Sequence, residues 1–328
     1  MSASVWAGRG AALLIAATVL TFFVSSVNSV PANGVVVSCC HGVKRVNFLG
    51  CPYPRGDVWQ TNIANVSPDP RSSAWIAATM SQGGSGGFAA SIPTNELINE
   101  ANNSTPSVTV NQKVKWHKPY SPIPWSPDFY IEPSSDRHSL VLQTKSCQYY
   151  EGYETTYFPG GQLSAYSNMH VDLTKPFVRP KTGGSTASGI PIGLLAVRPE
   201  ELAAGVIHHA MGWDAVAGSI SQTACVSPAA ITNCTDSIPY KGSAGDSPMP
   251  YGAHARLKRS FNIAGFSREA KIIAIAMKTY GLFLYDTGCC DNVVVLVNDV
   301  YGSPAWTSDD ARDLQTISPK DLEIVPAP

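Results

Sequence analysis

Apolar and polar residues alternate along much of the chain with a period of two, the pattern of strands that are buried on one face. The alternation is clearest in SVTVNQKVKW, residues 107–116. We predict further strands in HSLVLQT, GVIHHAM, HARLKRSF, GLFLYD and NVVVLVN, which are residues 138–144, 205–211, 254–261, 281–286 and 292–298. The pattern therefore predicts a β-rich protein.

One segment near the C-terminus has a helical period instead. Ser267 is suited to cap this helix, and Gly281 is suited to end it. The apolar stripe between them consists of Ile272, Ile273, Ala276 and Tyr280. Shorter helical turns are predicted to start at Pro199, Thr307 and Ser318.

The order of these elements shows no internal repeat, no heptad and no clear linker. We predict an all-β fold: an antiparallel β-sandwich or jelly roll with one docked C-terminal helix and a few short helical turns. Residues 30–328 are predicted to form a single domain, and a subdivision near residue 180, in RPKTGGSTASG, is the alternative.

The N-terminal residues have the composition of an export signal. Arg9 precedes an apolar run over residues 11–24, and small and polar residues follow up to Ser29. The run is shorter than the about 20 residues that cross a bilayer. We predict a signal peptide over residues 1–29 and no membrane association after cleavage, with an uncleaved anchor as the alternative.

The cysteines all lie beyond this segment, and an even number of them in an exported chain predicts disulfides. They are Cys39, Cys40, Cys51, Cys147, Cys225, Cys234, Cys289 and Cys290. Proximity favours a bond between Cys225 and Cys234. The spacing does not match a structural zinc site, so we predict no metal. Sequons at Asn65, Asn102, Asn103 and Asn233 predict a glycoprotein.

Composition narrows the range of partners. Apolar residues make up 44% of the chain, charged residues only 14%, and the formal net charge is -1. A surface with so few charges suits neutral polymers, and the absence of a general basic field argues against nucleic acid. The motifs of serine hydrolases, P-loop NTPases, zincins and Rossmann proteins are missing, so no cofactor is predicted. The pattern defines no oligomeric state.

Several longer segments carry a resemblance to other proteins. They are TNIANVSPDPRSSAWIAAT, SDRHSLVL, ASGIPIGLLAVRPEELAAGVIHHAM, YGAHARLKRSFNIAGFSREAKIIAIAMKTYGLFLYDTG and DDARDLQTI. From about residue 59 to residue 325 their order resembles an uncharacterised group of secreted, mainly bacterial β-rich proteins, and the resemblance implies an exported β-rich fold. Gly212 and His254 stand where that group usually has arginine, while His209, Ala210, Met211 and Arg256 agree.

Ionisable residues at predicted strand ends and on predicted strand faces are the catalytic candidates. Asp136, Arg137 and His138 open one strand, and Asp286 closes another. His209 and Arg256 lie on two further predicted strands, where each could face a ligand. The alternative for Asp136, Arg137 and Asp286 is a structural role in a turn. The alternatives for His209 and Arg256 are a position in the core and a position on the solvent-facing side of a sheet, respectively.

Aromatic residues among the prolines of residues 116–130 are the binding candidates, because rigid exposed rings stack on sugar faces. These are Trp116, Tyr120, Trp125 and Tyr130, with Phe129 beside them, and His208 and His254 could add polar contacts. Packing of the rings onto a sheet is the alternative.

Together these features predict a secreted glycan- or polysaccharide-engaging protein, with the degradation of polysaccharides as a candidate activity. The alternative is a non-catalytic structural protein of a cell wall or surface coat. A groove that holds Asp136, His138, His209 and Arg256 together would favour an enzyme, and dispersal of the four would favour the structural role.

Overall fold

The computed structural model describes residues 47–48, 50–54, 58–81, 97–115, 117–181, 184–231, 234, 248–288 and 308–327. Some predictions fall outside these residues. They are the signal peptide, the strand at 292–298, the helix start at Thr307, the sequon at Asn233, Trp116, Cys39, Cys40, Cys289 and Cys290.

Strands dominate the described chain. They are β1 (Asn47–Phe48), β2 (Cys51–Pro52), β3 (Ile98–Ala101), β4 (Ser107–Val108), β5 (Val110–Gln112), β6 (Ile123–Pro124), β7 (Ser139–Gln143), β8 (Gln148–Tyr153), β9 (Thr156–Phe158), β10 (Gln162–Ala165), β11 (Ser167–Asp172), β12 (Met211–Val216), β13 (Ile220–Cys225), β14 (Met249–Tyr251), β15 (His254–Leu257), β16 (Leu282–Gly288) and β17 (Leu322–Val325). The helices are α1 (Ser72–Ser81), α2 (Ile192–Leu195), α3 (Pro199–Ala204), α4 (Arg268–Thr279) and α5 (Ser308–Leu314), with 3-10 turns at Ala217–Ser219 and Pro319–Asp321. The prediction of a β-rich fold is confirmed.

The first large sheet has the strand order β11-β8-β7-β3. Alternation along β7 sends Leu140 and Leu142 into the large core, while Val141 points the other way into a smaller core. Trp125 belongs to this smaller core. The sheet is thus buried on both faces, which explains why β7 is apolar almost throughout.

The second large sheet has the order β12-β16-β15-β17. Its strands are buried along most of their length. Helix α4 packs on β15 with Ile273 and Met277 inward. This helix was predicted, but the Ser267 side chain does not cap it. The Ser267 hydroxyl instead donates to Asp310 Oδ1 at 2.5 Å, which ties α4 to α5.

The prediction of purely antiparallel sheets is wrong. Strands β3 and β7 pair in parallel in the first large sheet, and β12 and β16 do so in the second. The small sheets add the parallel pairs β5 with β10 and β13 with β14. Parallel neighbours need long crossover connections rather than hairpins, and the period-two pattern that predicts a strand carries no sign of its direction.

The segment GVIHHAM is not a strand, which corrects a second prediction. Helix α3 ends there, because Gly205 adopts φ 79° and its N–H bonds to the last turn of the helix. The chain then runs irregularly until Met211, where β12 begins. Strand β15 also stops at Leu257, earlier than predicted, while β16 continues to Gly288.

Two disulfides lie within the described residues. Cys225 bonds to Cys234, which confirms the prediction, and Cys51 bonds to Cys147 on the turn before β8. Disulfides persist in oxidising compartments, so both bonds are consistent with an exported protein. None of the helices in the described part of the chain is long and apolar enough to cross a membrane.

Candidate functional site

A surface cleft runs beside β11, and Tyr120 lies in it. The cleft consists of two adjoining cavities of about 450 and 660 Å³ that share His117, and we call it the Tyr120 cleft. Tyr120 is 43% exposed, and its ring centroid lies 5.6 Å from that of His170 and 6.2 Å from that of His117. An exposed ring flanked by two imidazoles is a surface on which a flat ligand face can stack.

A single side chain holds Tyr120 in this position. Asn168 on β11 accepts a hydrogen bond from the Tyr120 N–H at 3.0 Å and donates one to the Tyr120 carbonyl at 2.8 Å. The Asn168 N–H in turn donates to Gln112 Oε1. Tyr120 is therefore fixed by its backbone, which leaves its ring available for a ligand.

The polar groups of the cleft include His170 and Asp172, both on β11. Burial lowers the pKa of His170, so its ring is neutral at neutral pH, and Nε2 lies 2.7 Å from Gln148 Oε1. A hydrogen bond from Thr174 and the nearby Lys175 hold the pKa of Asp172 well below its usual range. Asp172 therefore stays ionised.

The far wall of the cleft is the segment 176–181, which begins and nearly ends with proline. Arg179 fixes this wall, because its Nε donates to the Ala229 carbonyl at 2.7 Å and its Nη2 to the Ala230 carbonyl at 3.2 Å. Phe177 packs edge-on against Trp59 at 5.0 Å, while Val178 is 81% exposed. Arg179 and Phe177 therefore anchor this wall, and the apolar Val178 is exposed to solvent.

A second group of candidates is linked electrostatically between the first and the second large sheet. Asp136 and His138 precede β7, and both interact electrostatically with Asp286 on β16. Asp286 Oδ1 accepts from the Thr287 N–H at 2.8 Å, and Oδ2 accepts from the Ala187 N–H at 3.4 Å. Asp214 on β12 lies beside Asp286 in the strand register. We call Asp136, His138 and Asp286 the acid cluster.

Asp286 is the unusual acid of this cluster. Burial raises its pKa to about 7, and Asp136 adds to the effect, although two backbone hydrogen bonds and His138 oppose it. A carboxyl group that is half protonated near neutral pH can both give and take a proton.

His138 is not available as a general base, because both of its ring nitrogens have partners. Nδ1 lies 3.1 Å from Glu132 Oε2, and Nε2 lies 3.1 Å from the Ser185 carbonyl. Burial alone would raise the pKa of Glu132, but hydrogen bonds from His138 and Ser134 outweigh it, so this pKa lies below its usual value. His138 therefore links the segments that carry Glu132 and Ser185, and it also acts electrostatically on Asp286.

Arg137 is held in a left-handed conformation at φ 50° beside the acid cluster. Its carbonyl accepts from the Thr155 N–H at 3.0 Å, and its Nε donates to the Thr155 carbonyl at 2.8 Å. Glu154, the residue before Thr155, is also left-handed at φ 48°. Two such residues side by side make this a strained corner, and strained backbone is enriched at functional sites.

His209 lies away from both groups, inside a buried polar network. Its Nε2 lies 3.2 Å from Glu201 Oε2, and its ring stacks on Tyr53 at 5.0 Å. Arg198 completes the network with a 2.6 Å bond to Glu201 and a 2.7 Å bond to the Tyr53 hydroxyl. We call these four residues the buried network; because they are almost fully enclosed, a surface ligand cannot reach His209.

Arg256, His254 and His208 are also engaged elsewhere. Arg256 pairs with Glu323 on β17 and donates to the Ile63 carbonyl. His254 is buried against Phe283 at 4.1 Å, and burial lowers its pKa to about 4. The His208 ring packs edge-on against Tyr280. Asp136, His138, His209 and Arg256 thus do not share one groove.

The aromatic candidates separate in the same way. Trp125, which we expected to be exposed, is 1% exposed and packs on Phe129 and Tyr157. Its ring cannot stack on a surface ligand. Tyr130 is half-buried and its backbone is held by Asn99. Only Tyr120 of the described aromatic candidates lines the cleft.

Sequence reasoning missed other members of these sites. Glu132 and Ser185 give no local sign that they bracket His138. The cations beside the far wall did leave a signal in the sequence, because Lys175, Arg179 and Lys181 fall within seven residues that also hold two prolines. In the part of the chain that the structure describes, no group of three or more His, Cys, Asp or Glu side chains could hold a metal ion.

Compared with protein-family models, curated proteins and solved structures, the chain matches none of them. The function must therefore be argued from the Tyr120 cleft and the acid cluster themselves.

Proposed function

We propose that this protein is exported and binds a polysaccharide or glycan in the Tyr120 cleft. The observation that carries the proposal is the exposed Tyr120 residue. The Asn168 side chain holds the Tyr120 backbone, and the Tyr120 ring lies beside the imidazoles of His117 and His170. Sugars present an apolar face of C–H groups and a rim of hydroxyls. The ring suits the face, and the polar part of the lining, which includes His170, suits the hydroxyls.

The wider setting of this proposal is an extracellular glycoprotein whose two large sheets form the layers of a sandwich- or jelly-roll-like body. The two disulfides support an oxidising environment. The sequons at Asn65 and Asn102 fall on exposed residues, where a glycan could be carried.

Degradation of the bound polymer is the catalytic form of the proposal. Asp286 does not line the Tyr120 cleft, so the polymer would have to extend from the cleft to the acid cluster. There Asp286 would supply the proton, because its pKa of about 7 leaves both protonation states populated at neutral pH. Asp136 would stand beside it as a second, exposed carboxylate. The release of reducing ends would report hydrolysis, and the ultraviolet absorbance of an unsaturated product would report elimination. Loss of product by the Asp286→Asn variant, with the polymer still bound, would assign the proton transfer to Asp286.

A non-catalytic structural role is the second candidate, and one observation favours it. His209 and Arg256 make their side-chain hydrogen bonds within the protein, as structural residues do. A protein that binds polymer without releasing any product would fit this role.

The test of binding is depletion of soluble polysaccharides by the immobilised protein, together with a glycan array. Tyr120→Ala removes the ring and keeps the backbone bonds to Asn168. Phe158→Ala is the matched control, since Phe158 is a comparably exposed ring, 46%, outside the cleft. We expect Tyr120→Ala to lose binding and Phe158→Ala to keep it. Equal binding by the two variants, or no binding by the unaltered protein, would overturn the proposal.

A further inference from the structure

The Tyr120 cleft is basic along its whole length, although the protein as a whole is not. Lys115 and Lys118 line one cavity, and Lys175, Arg179 and Lys181 line the other. The formal net charge of the chain is -1, so this concentration of cations does not follow from its composition. Like charges gathered in a concave surface attract ligands of the opposite sign.

Little within the cleft neutralises Lys115, Lys118 and Arg179. Among the described residues that line the two cavities, Asp172 is the acidic one. Its carboxylate is already paired with Lys175, with Nζ at 2.9 Å from Oδ2. This ion pair offsets the charge of Lys175 and leaves those of the other three.

The two cavities of the cleft together have room for more than one sugar unit. The volumes of both cavities fall within the range of about 300 to 1,000 Å³ that is typical of pockets for drug-sized ligands. The two cavities share His117 as a lining residue. A linear chain that occupies both cavities would contact cations of each while one of its rings lies on Tyr120.

We propose that the Tyr120 cleft binds a linear polysaccharide whose repeating units carry negative charges. This inference rests on the proposed function and names its class of ligand. Carboxylates and sulfates share the chemistry that lysine and arginine recognise, and Arg179 is held rigidly enough to present its remaining donors at little entropic cost. Nucleic acid is the less favoured polyanion, because proteins that bind single strands offer several rings for successive bases. Among the described Phe, Tyr and Trp residues that line the cleft, Tyr120 is the exposed one, since Phe177 packs on Trp59.

The experiment compares four probes on the full-length protein by titration calorimetry: polygalacturonate, dextran sulfate, neutral dextran and a single-stranded oligonucleotide. The double variant Lys115→Gln with Lys118→Gln removes two cations of the cleft. The control double variant Lys271→Gln with Lys320→Gln removes the same charge outside both cavities. Far-ultraviolet circular dichroism checks that each variant is folded.

We expect polygalacturonate or dextran sulfate to bind more tightly than neutral dextran, and the affinity to fall as salt rises from about 50 to about 500 mM because screening shortens the range of the attraction. The Lys115 and Lys118 double variant should weaken binding about five- to tenfold while the control stays within about twofold, as expected for exposed charge pairs. The carboxylate and sulfate probes show which anion is preferred.

Other results would overturn the inference in distinguishable ways. Equal binding of neutral dextran, unaffected by the lysine variants, would reject the acidic ligand and leave the proposed function standing. Tighter binding of the oligonucleotide would assign the cleft to nucleic acid. Failure of every polysaccharide to bind would reject the proposed function together with the inference.

Discussion

Asn168 binds both backbone groups of Tyr120, accepting from its N–H at 3.0 Å and donating to its carbonyl at 2.8 Å. Asn99 makes the same pair of contacts with Tyr130, at 2.7 and 2.9 Å. Two asparagines on strands of one sheet thus fix two loops by the same means, and only one of these loops carries a ring of the Tyr120 cleft.

This likeness provides a matched pair of variants. Asn168→Ala should release the Tyr120 loop and weaken polysaccharide binding several-fold, with a loss of about 1 to 3 kcal/mol in unfolding free energy from the broken buried bonds. Asn99→Ala should cost a similar amount of stability and leave binding unchanged. Denaturant melts and calorimetric titration of both variants check this. Equal losses of binding in the two would show that Asn168 acts only through general stability.

Asp286 gives a prediction about pH. Its pKa rises from an ordinary value of 3.8 to about 7 on folding, so between these pH values the folded protein holds a proton that the unfolded chain has lost. This contribution to stability is complete below pH 3.8 and is lost as the pH rises through 7. Asp286→Asn should therefore be more stable than the unaltered protein at pH 8, by roughly 1 to 3 kcal/mol.

The measurement is the difference in unfolding free energy between variant and unaltered protein from pH 4 to pH 8. Exposed Asp128→Asn serves as the control and should show a flat difference. A flat difference for Asp286→Asn as well would mean that the folded protein does not raise the pKa of this carboxyl.

The sequence predicted local structure best where one short segment decides the outcome. The stripe of Ile272, Ile273 and Ala276 is a helix signal that needs no distant partner, and α4 forms there. Cys225 and Cys234 are close in sequence, so their bond was predictable. Helix α1 was missed, because its apolar residues, from Ala74 to Ala78, follow one another rather than form a stripe.

The Tyr120 cleft and the acid cluster could be predicted only in part, because contacts distant in sequence build them. Tyr120 was a candidate from its own surroundings, but its partner Asn168 lies 48 residues away. Trp125 stands five residues from Tyr120 in an equally proline-rich stretch, and packing on Tyr157 buries it. In GVIHHAM the alternation was real, but Gly205 ends α3 and shifts the strand start to Met211. No local pattern distinguishes these outcomes.

The buried network gives a prediction about charge in the core. Glu201→Gln would leave Arg198 and His209 without their shared carboxylate and should destabilise the protein by about 3 to 5 kcal/mol. Glu200→Gln is the matched control, because the Glu200 side chain also approaches Arg198 but is 47% exposed. Chemical denaturation measures both. A small effect of Glu201→Gln, comparable with that of the control, would show that the network contributes little.

The two disulfides should differ in their effect on stability. Cys51 and Cys147 are 96 residues apart, whereas Cys225 and Cys234 are nine apart. In the chain-entropy model the longer loop stabilises the protein by about 2 kcal/mol more. Thermal melts of Cys51→Ala with Cys147→Ala, and of Cys225→Ala with Cys234→Ala, compare them. A larger loss from the second pair would contradict the model for this fold.

Strand β11 forms an outer edge of the first large sheet, and the Tyr120 cleft follows that edge along residues 168–172. An open strand edge invites a second copy of the chain to add its own strand, and lysine and proline nearby discourage this. Lys175, Pro176 and Lys181 occupy such positions. Lys175 and Lys181, which we assign to the binding of an acidic polymer, would thereby also hinder self-association of the protein when no polymer is bound.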